Sequence, residues 1–238
     1  MSVYFQGFPT IQYDIDDDRH FIEVTDIFRT VRPKQSLKDD LLLYSKYTIK
    51  DGERPDHVSQ KLYGSIDYYW TFFMVNEKLV NYHNDWPRSR QELEDHILLK
   101  YDGYALTVDS DISTLFTKNE TIQGLVSGAT ATITQKDCNT DTIRITNLIG
   151  EFRSNELIRG LTSNDTVQIT GQIPFYDATH HYEGPNSTIT DKARGIPVTY
   201  AEHEFNLNEE KAELKVIRPQ YIMRVSEQFF QQINPTAE

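Results

Sequence analysis

The sequence predicts an α+β fold, and three observations carry that reading. Short alternating segments of strand character stand beside apolar residues at helical spacing. A stretch rich in Gly, Ser, Thr and Asn repeats itself. The remaining ends hold apolar residues with too little periodicity to build a core alone. The chain has 238 residues, enough for one large or two small domains with a real core. Hydrophobic residues make up 38% and charged residues 25%, the balance of a folded chain rather than a disordered one.

Residues 1–44 read as an extended arm. Phe8, Ile11, Tyr13, Phe21 and Phe28 are scattered along it without a periodic face, and Asp14, Asp16, Asp17 and Asp18 form an acidic loop. Residues 45–114 hold the most patterned segment, a strand-helix-helix-strand unit with a following helix. Tyr47–Lys50 has strand character and Asp51-Gly52 makes a turn. Pro55 opens a helix that carries Val58, Leu62 and Tyr63, and Gly64 stops it. Ser65 or Asp67 caps the next helix, with Tyr69, Phe72 and Phe73 on its apolar face. A closing strand is expected near Leu79–Tyr82. Ser89 with Glu92 marks the start of a helix to Lys100, with Leu93, Ile97 and Leu98 on one side. Tyr104–Val108 returns to strand.

Residues 115–172 read as a small all-β module of two similar halves. Phe116, Asn119, Glu120, Ile122, Gly124, Leu125, Ser127, Thr130 and Ile133 recur as Phe152, Asn155, Glu156, Ile158, Gly160, Leu161, Ser163, Thr166 and Ile169, every pair offset by 36 positions. Neither half can bury a face alone, so the two should pack together. Residues 173–238 form a C-terminal strand and helix segment. Ile173–Asp177 and Ile196–Tyr200 look extended, and Glu213–Ile217 alternates as a strand. Pro219 opens a helix with Ile222, Val225, Phe229 and Ile233 on one face, ended by Pro235.

Composition excludes several function classes. The formal net charge of -12 opposes phosphate and anionic lipid, so neither nucleic acid nor membrane is expected as a partner. The densest apolar run, Leu41-Leu42-Leu43, is far shorter than the ~18 residues of a spanning helix. The polar start after Tyr4 does not read as a secretory signal. Cys138 is the only cysteine, which rules out an intrachain disulfide, and it reads as a small filler rather than a nucleophile.

No constellation of residues reads as an active site. Asp14, Asp16 and Asp18 have the spacing of a calcium loop, but Arg19 and Thr25 stand where that loop needs Gly and Glu. Asp177, His180, His181 and Glu183 have metal-ligand chemistry, yet adjacent histidines on a strand point to opposite faces, so the segment reads as a polar loop. No catalytic residue, cofactor site or metal site is therefore assigned, and the chain is not expected to be an enzyme. The sharpest feature is the aromatic run Tyr68–Phe73. Consecutive aromatics surround a helix, so one core face cannot take them all. Tyr68, Trp70 and Trp86 are thus candidates for contact with another chain or another part of this one. Phe28 on the arm and the Phe229-Phe230 pair, wider than one packing stripe, join them. Residues 1–44 and the last helix are expected to be held largely by neighbouring chains.

The segment from Tyr47-Thr48-Ile49-Lys50-Asp51-Gly52 through Tyr63-Gly64 to Asn76 resembles a LysM domain. The surrounding residues resemble one special group more closely, the baseplate wedge protein fifty-three family of contractile-tailed phages. The matching residues are Thr25-Asp26-Ile27-Phe28-Arg29, Arg54-Pro55, Leu62-Tyr63-Gly64, Tyr69-Trp70, Asn76 and the Trp86 region leading to Lys100-Tyr101. The resemblance implies a LysM-like fold reused for protein contacts, with the repeat at 115–172 as an inserted phage-type β-module. It adds Arg29 to the candidate interface. It implies a structural subunit of the virion tail baseplate, assembled in the host cytoplasm. That subunit would join neighbouring wedges around the hub through other wedge and hub-proximal proteins, with no carbohydrate partner. The alternative is a LysM protein that binds peptidoglycan, a polymer containing N-acetylglucosamine.

Overall fold

A computed structural model describes residues 3–14, 19–29, 42–81 and 84–234. Expectations for Asp16–Asp18, Arg32–Asp40, Tyr82 and Pro235 lie outside the described residues. Helices and strands are both present, as an α+β fold requires. The chain divides into two units, Met1–Arg90 with Asn208–Glu238, and Gln91–Leu207.

In the first unit, Val3–Gly7 forms a 3-10 turn. Strands β1 (Thr10–Asp14) and β2 (Phe21–Thr25) then pair as an antiparallel hairpin. Strand β3 (Tyr44–Thr48) leads to helix α1 (Pro55–Tyr63). Pro55 sits in the first turn of α1, where its missing N–H costs nothing, and Gly64 ends the helix at φ 73°. Ser65 caps the following 3-10 turn, Ile66–Tyr68, by accepting from the Asp67 N–H. Helix α2 (Trp70–Val75) buries Trp70, Thr71, Phe72 and Val75.

The expected closing strand near Leu79 is not formed. Leu79 is buried, but its N–H bonds to the Asn76 carbonyl, Val80 is exposed, and the Val80 and Asn81 N–H groups donate to the Asp85 carboxylate. That turn has no extended run to pair. The partner of β3 is instead β13 (Glu213–Ile217), with Glu213 opposite Thr48 and Ile217 opposite Tyr44. Strand β3 also lies three residues earlier than its sequence pattern suggested, leaving Ile49 as a buried residue just beyond it. The main core of this unit joins Ile49, Val58, Phe72, Leu79, Trp86, Leu214 and Val216. Helix α5 (Pro219–Ile233) follows and buries Ile222, Phe229 and Ile233, three of the four residues of its predicted face.

The second unit holds a closed barrel with the strand order β4-β7-β6-β5-β8-β9. Its strands are β4 (Tyr104–Val108), β5 (Thr121–Gly124), β6 (Thr130–Asp137), β7 (Thr142–Ile149), β8 (Leu157–Gly160) and β9 (Thr166–Pro174). Exchanging β4 with β7, β5 with β8 and β6 with β9 leaves the cyclic order unchanged. The barrel is therefore two three-stranded halves of equivalent topology, and it takes in Tyr104–Val108 beyond the repeat itself.

Most of the repeated positions have a physical job. Phe116 and Phe152, Ile122 and Ile158, and Ile133 and Ile169 all fill one shared core. Asn119 and Asn155 hold left-handed backbone at φ 66° and 61°, which Asn tolerates better than most side chains. Glu120 accepts from Thr117 in its own half and reaches across to the Thr162 and Ser163 N–H groups, at 2.9 and 2.6 Å. Glu156 accepts from Arg153 in its own half and reciprocally from the Val126 and Ser127 N–H groups, at 3.1 and 2.9 Å. Gly124 and Gly160 are glycines because a Cβ at either would strike the reaching carboxylate and the adjacent serine hydroxyl. Leu125 and Leu161 differ from the rest: both side chains are exposed, and their contribution is the backbone pair Leu125 N–H to Leu157 and Leu161 N–H to Thr121.

Around the barrel, helix α3 (Arg90–Lys100) buries Leu93 and Ile97, but Leu98, expected beside them, is exposed. Strand β10 (Thr179–Glu183) lies between β11 (Ile189–Thr190) and β12 (Ile196–Thr199). Helix α4 (Tyr200–Ala212) follows and was missed in the sequence. Its signal was present: Thr199 Oγ1 accepts from the Glu202 N–H, and Glu202 Oε2 accepts from the Thr199 N–H, a reciprocal cap. Within this unit α3 and α4 are tied at buried Glu204, which takes Lys100 Nζ and the Tyr101 hydroxyl at 2.7 Å each.

Two predictions follow from this architecture. Burial opposes ionisation of Glu120, but the amides of Ser163, Thr117 and Thr162 and the Ser163 hydroxyl outweigh it and lower its pKa from 4.5 to about 2. Because the folded value lies below the unfolded one, the stabilisation is full above pH 4.5 and lost as the pH falls toward 2. Glu120→Gln should cost about 1–3 kcal/mol at pH 7 and clearly less at pH 3, read from urea melts; an equal loss at both pH values would contradict the clasp. The second prediction concerns the first unit. Arg88 and Asn208, near its two internal chain ends, share two hydrogen bonds at 2.8 and 3.0 Å. A chain with Gln91–Leu207 replaced by a short glycine-serine link should keep a cooperative melt, and a non-cooperative unfolded product would count against an independent first unit.

Candidate functional site

The candidate interface residues fall into two groups. Trp70, Trp86 and Phe229 are buried, at 6%, 9% and 6% exposure, so they are core of the first unit rather than surface anchors. The physical reason is that other parts of the same chain supply the cover. Trp70 meets Phe229 with ring centroids 4.3 Å apart, and Tyr4 and Phe8 complete the cluster. Trp86 packs against Phe72 and Phe73, and its indole N–H donates to the Glu53 carbonyl at 2.7 Å. Phe230 is half-buried against Gly7, where a Cβ would strike the ring. Tyr68 is half-buried beside Tyr63. The expectation that the last helix and the first residues of the arm are covered mainly by neighbouring chains is thus corrected: both pack within this one.

Arg29 is also used internally. It pairs with Asp26 at 3.1 Å, and its Nη1 donates to the Ile233 carbonyl at 2.9 Å, at the C-terminal end of α5. Phe28 alone among the seven is fully presented to solvent, at 82% exposure. The hairpin that precedes it in the chain also carries exposed apolar side chains. The register pairs Ile11 with Val24 and Tyr13 with Ile22, which puts these four side chains on one face. Tyr13 and Ile22 are exposed, as are Phe21 and Ile27. Among the described residues this sheet has only two strands. In the sequence Phe8–Tyr13 has extended character and Phe21–Val24 reads as a short strand; that the two pair as a hairpin is not legible there.

A second cluster lies in the second unit, where sequence reasoning expected a polar loop. His180, His181 and His203 each offer a ring nitrogen, and these lie within 4.8 Å of one another. The expectation that His180 and His181 diverge is overturned by an irregularity in the β10–β12 pairing between Thr179 and His181. Such a bulge breaks the alternation and brings neighbouring side chains together. The two Nδ1 atoms sit 2.8 Å apart. His203, from the first turn of α4, stacks on His180 at 4.2 Å between centroids. His181 Nε2 bonds to Glu183 Oε1 at 3.0 Å. Burial, with the neighbouring His203 and His181, lowers the His180 pKa and favours its neutral ring. Asp177, the remaining member of the sequence cluster, lies in a 3-10 turn before the strand. The calcium-like spacing cannot be followed through Asp16 and Asp18, and Asp14 accepts from the Arg19 N–H at 2.8 Å.

No curated protein matches the chain. Residues 3–110 match the family described as base plate wedge protein 53, a span that contains the exposed hairpin, α1, α2 and the buried Trp70 and Trp86. Over these residues the chain is similar to the base plate wedge protein 53 family, a family of structural phage baseplate proteins.

Proposed function

We propose that the protein is a wedge subunit of a phage tail baseplate that joins neighbouring wedges around the hub through protein contacts, its hairpin face and Phe28 being the docking surface. The observation that carries this reading is the apolar face of Ile11, Tyr13, Ile22 and Val24 on a sheet that has two strands among the described residues, with Phe28 exposed three residues after it in the chain. A two-stranded hairpin is marginal in water by itself, and a contiguous exposed apolar face calls for cover. The net charge of -12 favours partners with basic surfaces over nucleic acid. The place of action is the virion tail, after assembly in the host cytoplasm.

The segment from β3 to Asn76 is read as a LysM-like unit whose closing strand comes from the far end of the chain. The order strand, helix, helix and the pairing of β3 with β13 support that reading. The barrel is read as an insertion into this unit. The family match ends at residue 110, and the first unit resumes at Asn208.

Replacing Tyr13 and Phe28 together by Asp tests the docking surface. The isolated variant should melt like the parent, because both side chains are exposed. Its incorporation into baseplates, measured by quantitative mass spectrometry of purified particles, should fall by about thirtyfold or more, the scale of a lost interface anchor. Undiminished incorporation would count against this surface. Retention of the parent protein on insoluble peptidoglycan, abolished in the same variant, would favour the carbohydrate reading instead.

A further inference from the structure

We propose that His180, His181 and His203 form a binding site for one divalent transition-metal ion, best suited to zinc. Three features of the cluster point to an ion rather than to a chance meeting of rings. The bulge in β10 turns two adjacent histidines to the same side, against the ordinary alternation of a strand. Their Nδ1 atoms face each other at 2.8 Å, so neutral rings can share at most one proton between two inward lone pairs. An ion between them uses both lone pairs. The third feature is the carboxylate behind the cluster. Glu183 holds the outer nitrogen of His181 at 3.0 Å, which fixes the ring with Nδ1 turned toward His180. A carboxylate on the far nitrogen is the usual support of a metal-bound imidazole.

The cluster is compact enough for one ion after the rings adjust. Two nitrogens at about 2.0–2.1 Å from a tetrahedral zinc stand about 3.3 Å apart. The His180 and His181 Nδ1 atoms, at 2.8 Å, would spread slightly to take the ion, and His203, now stacked on His180 with planes 11° apart, would turn its ring toward it from within the 4.8 Å cluster. All three rings are half-buried, which leaves a path for an ion and room for a solvent oxygen as fourth ligand. Imidazole donors suit zinc, nickel and copper better than calcium or magnesium, which take oxygen. Bound there, the ion links β10 to the first turn of α4 and staples the second unit from outside its barrel.

Direct metal titration of the full chain decides the matter. The protein is stripped with a chelator, dialysed, and titrated with cobalt(II) followed by zinc. One cobalt per chain should bind, with the visible absorption of a tetrahedral nitrogen site, and zinc should displace it. His180→Ala and His203→Ala should each abolish that band, whereas Cys138→Ser should keep it. Glu183→Gln retains every ligand and should weaken binding by about 10–100-fold. Far-UV circular dichroism of each variant separates lost binding from lost fold, and Glu183→Gln carries the test if a histidine variant does not fold. Absence of a stoichiometric band in the parent, or a band unchanged in both histidine variants, overturns the site.

Discussion

The first unit depends on one buried polar side chain. Asn76, at the end of α2, donates from Nδ2 to the Phe72 carbonyl and to the Lys215 carbonyl, and its Oδ1 accepts from the Lys215 N–H, all at 2.8 Å. It is 7% exposed, so none of these groups has ready access to water. Each group left unpaired there would cost on the order of 1–3 kcal/mol. This side chain fixes β13 against the helices, and β13 in turn pairs with β3 and places Leu214, Val216 and Ile217 in the core. The Tyr63 hydroxyl bonds to the Ile217 carbonyl at 2.9 Å, which ties α1 to the same strand. The N-terminal family segment therefore does not close its own core; residues more than a hundred positions later complete it.

That long-range closure explains what the sequence could and could not reveal. Helix α1 was legible because Pro55, the apolar spacing of Val58 and Leu62, and Gly64 are local signals. Strand β13 and helix α5 were legible for the same reason. The partner of β3 was not legible, because nothing in Tyr44–Thr48 says which distant strand it meets. Leu79 supplied a misleading cue: one buried apolar residue in a turn looks like the start of a strand. The barrel was the reverse case. Its repeat encodes pair after pair of constraints, and the reciprocal reach of Glu120 and Glu156 is a reason for those positions to match. The histidine cluster was misread because the period-two rule holds only for regular strands, and a bulge leaves no composition signal.

The aromatic surplus has a similar explanation. Tyr68–Phe73 carries more rings than one helix face can bury, so the run needs a second partner. The partner is Tyr4, Phe8 and Phe229 of the same chain. With these rings withdrawn from the surface, the hairpin and the residues after it still expose Tyr13, Phe21, Ile22, Ile27 and Phe28, while other exposed apolar groups, such as Leu42, Val80 and Leu99, stand elsewhere along the matched segment. Fold and proposed role are linked in this way: the two chain ends close the core, and the hairpin keeps an apolar face of its own.

Hydrogen exchange of the free protein and of assembled baseplates tests this division most directly. The account predicts that amides of Tyr44–Thr48 and Glu213–Ile217 are protected in both states, while those of Thr10–Asp14 and Phe21–Thr25 exchange quickly in the free protein and slowly in the baseplate. Equal protection of the hairpin in both states, or fast exchange of the β3–β13 pair in the free protein, would contradict it.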